Sequence, residues 1–138
     1  MINSRKLTDL HPKVAAMCMQ HIAECKQVGI DLLVISTYRD AESQTALYNQ
    51  GRTAPGRIVT NAKAGQSLHN FRVAYDAVPL INGKPQWDAD DPVWKRVGEL
   101  GKKCGLEWAG EWKRFREFPH FQFTGGLTLT DFQKGLLP

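Results

Sequence analysis

One carboxylate inside an apolar run constrains this chain more than any other feature. The run is Val73-Ala-Tyr-Asp76-Ala-Val-Pro-Leu80. Its β-branched and aromatic content predicts a strand, with Val73, Tyr75 and Ala77 on one face and Ala74, Asp76 and Val78 on the other. Burying an ionised carboxylate in such surroundings is costly unless it is paired or bound to a metal. The fold must therefore deliver a compensating group to position 76. A strand is also a rigid element, well suited to holding a metal ligand.

Candidate partners lie on both sides in sequence. His69 precedes Asp76 by seven residues, and Glu117-Phe-Pro-His120 follows downstream. Two imidazoles and two carboxylates are enough for three metal ligands plus one acid–base group. A catalytic zinc site needs that combination, with a fourth position open to water. The chain has only four histidines, so two of them beside acids exceeds what composition suggests. His69 taken alone also fits a hydrogen-bonded structural residue beside a strand. His120 is flanked by Phe118, Pro119, Phe121 and Phe123, and such apolar walls strengthen electrostatic interactions.

The rest of the chain supplies helices and strands in irregular order. Val14, Met17, Cys18, His21, Ile22 and Cys25 follow helical spacing over residues 11–29, with Pro12 suited to the first turn and Gly29 to the stop. Ile30 to Thr37 reads as a buried strand. Asp40 can cap a helix over 41–50, which Gly51 ends. Residues 51–66 hold Gly, Pro and small polar residues without periodicity, and loops of that length are often functional. Asn82-Gly83 signals a turn after the strand at 73–80, with Lys84 to Trp87 as a return arm. Asp91-Pro92 opens a helix to about residue 104, stopped by Gly105. Residues 106–110 suit a short strand or turn, 120–123 a strand, and Thr128 the cap of a short last helix. This mixture lacks regular βαβ alternation and has no linker, which predicts one α+β domain over residues 1–138.

At 42% hydrophobic and 23% charged, the composition is that of an ordinary globular protein. No segment has the roughly 18–20 apolar residues of a membrane span, so membrane insertion is not expected. The charged N-terminus lacks a following apolar stretch, which predicts no signal peptide and a cytosolic product. Cys18, Cys25 and Cys104 form no C-x-x-C pair, and Cys18 and Cys25 share one helix face. They read as buried free thiols. The net charge of +4 draws much on Lys95, Arg96, Lys102, Lys103, Lys113, Arg114 and Arg116. That excess suits a solvated face, an anionic cell-wall surface or nucleic acid. No helix-turn-helix, zinc-finger or RNP-type signature accompanies it, so nucleic acid is not the expected partner.

Several segments resemble the D-Ala-D-Ala-type zinc peptidases, a family that includes the VanX and VanY resistance enzymes and the phage L-alanyl-D-glutamate endolysins. Ser36-Thr-Tyr-Arg39 is similar to the family's Ser-x-x-Arg, and Thr60-Asn-Ala-Lys-Ala-Gly-Gln-Ser-Leu-His-Asn70 resembles the lead-in to its first ligand. Gly105-Leu-Glu-Trp108, Trp112 and Glu117-Phe-Pro-His-Phe-Gln122 resemble its closing segment. These motifs keep the family's order over about residues 36–123. Two positions depart from it. Arg72 stands three residues after His69, where Gly is common, and Ala109 replaces the second Gly of a usual pair. Gly at 72 would serve a tight backbone path, so either the local turn differs or Arg72 points to solvent.

The resemblance implies an α+β fold with a small, mostly antiparallel sheet and flanking helices, as in hedgehog-like and D-Ala-D-Ala-peptidase-like domains. It implies Zn2+ held by His69, Asp76 and His120, with Glu117 as general base and Arg39 polarising the scissile carbonyl. Pro119 makes its segment extended, which suits Glu117 to base chemistry better than to a fourth ligand position. Arg39 alone also reads as a surface cation at a helix start. Ser67 reads as a substrate contact or a turn former, and Trp108 and Trp112 as cleft walls or core. The implied substrate is bacterial peptidoglycan, cut at L-Ala–D-Glu by a monomeric phage endolysin that leaves the host cytoplasm through a holin. A D-Ala-D-Ala carboxypeptidase or dipeptidase is the alternative on the same scaffold. A non-catalytic, zinc-containing wall-binding module is a third class, and it would not need Glu117.

Overall fold

In the computed structural model, which describes residues 1–138, nine helices and strands follow in chain order. They are α1 (Pro12–Gln27), β1 (Asp31–Ser36), α2 (Ala41–Asn49), β2 (Ala74–Ile81), β3 (Lys84–Pro85), α3 (Val93–Lys103), β4 (Glu107–Trp108), β5 (His120–Gln122) and α4 (Leu129–Gln133). Short 3-10 turns cover Leu7–Asp9, Leu68–Phe71 and Ala109–Glu111. All strand pairs are antiparallel, in the order β1-β2-β5-β4, with β3 folding back on β2. The fold is α+β, with a small antiparallel sheet and flanking helices. The expected return arm over 84–87 shortens to two residues. Asn82 (φ 53°) and Gly83 (φ 76°) form the tight left-handed turn before it, and beyond Pro85, which has no N–H to donate, one further bond runs from the Gln86 amide to the Pro79 carbonyl (2.9 Å).

β2 is central because β1 pairs with one of its edges and β5 with the other. Val73, Tyr75 and Ala77 join the main apolar cluster with Val14, Cys18 and Cys25 of α1, Val97 and Leu100 of α3, and Phe121 of β5. Two glycines let α3 approach closely. A Cβ on Gly98 would lie 2.2 Å from the Trp108 ring, and one on Gly101 would lie 2.6 Å from Phe121. Cys18 and Cys25 are buried free thiols, as expected, whereas Cys104 is half-buried. Burial pushes Cys18 up to about 12 and Cys25 to about 11, which leaves them inert as nucleophiles.

His21 lies fully buried in the same cluster. The Val97 carbonyl can only accept, so Nε2 of His21 carries the proton it donates there (2.9 Å). Nδ1 then accepts from the Tyr75 hydroxyl (2.7 Å), which ties α1 to α3 and β2. Burial lowers the His21 pKa, and the Val97 bond only partly opposes it. The unfolded chain therefore binds the proton more tightly than the native state. Stability should be complete above the ordinary histidine value near 6.5 and should fall as pH drops through it, by about 1.4 kcal/mol for each pH unit of depression. Urea melts between pH 8 and pH 5 should show that slope, and His21→Gln should flatten it.

Arg72 resolves the first departure noted in the sequence. Its backbone takes the left-handed conformation (φ 66°, ψ 22°) that Gly would have adopted. The tight path is thus kept, not replaced. A non-glycine residue there is strained, and two contacts offset the strain. The exposed guanidinium lies over the Tyr38 ring (3.8 Å to its centre) and donates to the Asp9 carbonyl (2.8 Å). Ala109 is fully buried and is not among the residues with positive φ, so the second departure carries no backbone strain.

Candidate active site

Sheet register places the central carboxylate. Asp76 lies opposite His120 on β5 and pairs on its other side with Ser36 of β1, just after an irregularity in that strand. His69 arrives from the 3-10 turn over 68–71. Ser67 caps that turn by accepting from the His69 amide (3.3 Å), and Asn70 Oδ1 accepts from the Ser67 amide (3.2 Å). Asn70 also donates to the Arg39 carbonyl (2.8 Å), and the Arg39 amide donates to the His69 carbonyl (3.1 Å). The turn is thereby lashed to the segment that follows β1.

Both imidazoles are oriented from behind. His69 Nδ1 donates to the Thr37 carbonyl (2.8 Å), which leaves the Nε2 lone pair facing Asp76 Oδ1 at 3.2 Å. The Gln122 amide nitrogen donates to Glu107 (3.2 Å), so its Oε1 accepts from His120 Nε2 (2.8 Å). The Nδ1 lone pair of His120 then faces the same Asp76 oxygen at 3.3 Å. Neutral imidazoles thus present acceptors to an acceptor. A shared cation or extra protons must reconcile them. The three ligand atoms lie within 4.8 Å of one another, and two imidazoles with one carboxylate suit a divalent ion such as zinc.

Burial would raise the Asp76 pKa, but the charge on His69 and hydrogen bonds from His120 and His69 outweigh it and hold the carboxyl well below its usual range. Burial lowers the His120 pKa, yet the bond to Asp76 more than compensates and raises it overall. This is the signature of one anion shared by two histidines.

The other expected residues line the same cleft, a cavity of about 1050 Å³. Glu117 is half-exposed, with Oε2 3.7 Å from His120 Nδ1. Arg39 is nearly buried, and its Nη2 lies 3.9 Å from Asp76 Oδ2. It donates to Gln44 Oε1 (3.0 Å) and Ser36 Oγ (3.2 Å), so it is built into the site and is not a surface cation. Burial lowers the Arg39 pKa, opposed by Asp76 and Glu117; guanidinium nevertheless stays charged. Trp112 is half-buried, its ring centre 5.9 Å from that of His120. Ser67 lines the cleft, but its hydroxyl is engaged as the turn's cap. Trp108 is buried and donates to the Phe118 carbonyl (2.8 Å), which makes it core.

Sequence reasoning gave no role to Thr37, Gln44 or Gln122. Gln122 had a detectable signal, since two residues along a strand it shares a face with His120. Gln44 lies in the first turn of the helix after Arg39 and also donates to the Ala62 carbonyl (2.8 Å), coupling Arg39 to the 51–66 loop. Thr37 acts through its carbonyl, which no side-chain pattern reveals.

A family model described as D-alanyl-D-alanine carboxypeptidase matches residues 60–123, the stretch that contains His69, Asp76, Glu117 and His120. The chain is 37% identical over 123 residues to the peptidoglycan L-alanyl-D-glutamate endopeptidase CwlK of Bacillus subtilis (strain 168), covering 83% of this chain and 74% of that protein. It is 30% identical over 140 residues to the L-alanyl-D-glutamate peptidase of Listeria phage A118, covering 98% of this chain but only 44% of the phage protein. Among solved structures, the Serratia marcescens L-Ala D-Glu endopeptidase ChiX superposes with a TM-score of 0.66 at 22% identity, covering 95% and 92% of the two chains. No helix is long and apolar enough to cross a membrane.

Proposed function

This chain belongs to the D-alanyl-D-alanine carboxypeptidase family, and we propose that it is a zinc-dependent peptidoglycan endopeptidase cutting the L-Ala–D-Glu bond of stem peptides. The observation that carries the proposal is the convergence of the His69, Asp76 and His120 acceptors in a cleft that also holds Glu117 and Arg39. The relatives named for L-alanyl-D-glutamate cleavage support the choice of bond. The phage relative, alone among those named, supports service as a phage lysin.

His69 Nε2, His120 Nδ1 and an Asp76 oxygen would hold the ion. When bound there, zinc supplies a Lewis acid that acidifies water and polarises a carbonyl. Glu117 takes a proton from the attacking water and returns it to the leaving amine. The Arg39 guanidinium, fixed by Gln44 and Ser36, sits beside Asp76 to stabilise negative charge developing on the scissile carbonyl oxygen. Trp112 walls the cleft beside His120. Thr37 and Gln122 keep the imidazole lone pairs aimed inward.

Mass spectrometry of digested muropeptides tests the bond. Glycan-side products should end in L-Ala, with new amino-terminal D-Glu on the released peptides. Loss of terminal D-Ala alone would instead identify a carboxypeptidase. A separate expectation concerns Gln122: its replacement by Leu removes the acceptor that orients His120, and zinc affinity should fall about 10–100-fold. Competition with a chromogenic chelator would measure this, and an unchanged affinity would leave Gln122 without an orienting role.

A further inference from the structure

The cleft contains two cations, and only one is committed. Arg39 gives its terminal nitrogens to Gln44, Ser36 and Asp76. Arg116, the other cation lining the cleft, uses only Nε, which donates to the Trp112 carbonyl (3.1 Å). Its two terminal nitrogens have no protein partner. That anchor ties the guanidinium stem to the wall that faces His120. The residue just before it, Phe115, is left-handed (φ 54°) and 75% exposed. An exposed, strained aromatic has no packing gain to offset its backbone, and such strain collects at binding sites.

We infer that Arg116 recognises the free carboxylate of the D-glutamate that follows the scissile bond. The inference rests on the proposed bond specificity and deepens it. A glutamate whose amine is acylated by L-Ala, and one of whose carboxyls continues the peptide, keeps its other carboxyl free and ionised at neutral pH. Guanidinium matches a carboxylate with two parallel N–H donors, a geometry that an amide cannot reciprocate. Exposed Lys113 and Arg114 extend the positive potential beside the same rim.

The test compares muropeptides carrying D-glutamate with the same peptides carrying D-isoglutamine, in which that carboxyl is amidated. The wild-type, zinc-loaded protein should prefer the acid by about 10–100-fold in kcat/KM, the range of a charged hydrogen-bonded pair. Arg116→Gln should raise KM on the acid far more than on the amide and erase most of the preference, and Arg116→Lys should restore part of it. Glu117→Gln protein offers a readout without turnover: calorimetry should show the same acid-over-amide preference in binding, lost in the double variant. If wild type fails to cut L-Ala–D-Glu in either peptide, the reading of the bond falls. If it cuts there normally and Arg116→Gln leaves the acid-to-amide ratio unchanged, only the Arg116 assignment is overturned.

Discussion

Glu117→Gln should lower kcat by about 10²–10⁴ while zinc content stays at wild-type level. That range is what a positioned general base contributes. Gln preserves the shape and hydrogen-bonding reach of the side chain but cannot take a proton. Glu117 lies 3.7 Å from His120 Nδ1, outside the three converging ligand atoms, so metal binding should survive its loss. Because proton transfer belongs to the transition state, KM should change little. Initial rates on purified muropeptides, with metal analysis of the same samples, separate the two effects. Undiminished hydrolysis with zinc retained would remove Glu117 from the mechanism. A wild-type protein that binds walls but cuts nothing would favour a structural metal.

How much of this was legible beforehand depended on whether a physical cause was local. The caps at Asp40 and Thr128, the turn at Asn82-Gly83 and the α1 stripe of Val14, Cys18, His21 and Cys25 each depend on neighbours within a few residues. The structure reproduces them within a residue or two. The cost of Asp76 in an apolar strand was equally local, but its solution is not. His120 reaches it from 44 residues away, by a register that no periodicity encodes. Arg72 shows the same limit from the other side. Propensity favours Gly at a left-handed position, yet Tyr38 and Asp9, distant in sequence, make arginine tolerable there.

The 51–66 loop lay between these cases. Its lack of periodicity was visible, but its organiser was not. Arg52 donates to the carbonyls of Tyr48 (2.6 Å) and Thr60 (3.0 Å) and to Asn61 Oδ1 (3.1 Å). One guanidinium thus replaces the backbone ladder that the loop lacks, and Gln44 bonds the far end of the loop at Ala62. The loop that lines the cleft is therefore coupled to Arg39 through a buried amide. A pattern of residue types conveys neither bond.

Asp76→Asn should abolish the stabilisation that zinc confers on the folded protein. A ligand at a hundredfold excess over its Kd adds about 2.7 kcal/mol, which for a domain of this size raises Tm by roughly 10 °C. Wild type and Glu117→Gln should both show that rise. Asp76→Asn keeps the strand and the cavity volume but removes the anion that two imidazoles share, and its zinc affinity should fall by well over the roughly 10–100-fold lost with an outer partner. The metal-free melting point carries the second half of the prediction. Asp76 also faces the nearly buried Arg39 guanidinium, and an uncompensated buried charge is destabilising. The metal-free variant should therefore melt below metal-free wild type. Were Asp76→Asn to melt higher on adding zinc by the same interval as wild type, Asp76 would be a structural counterion to Arg39 and the ion would have to be held elsewhere.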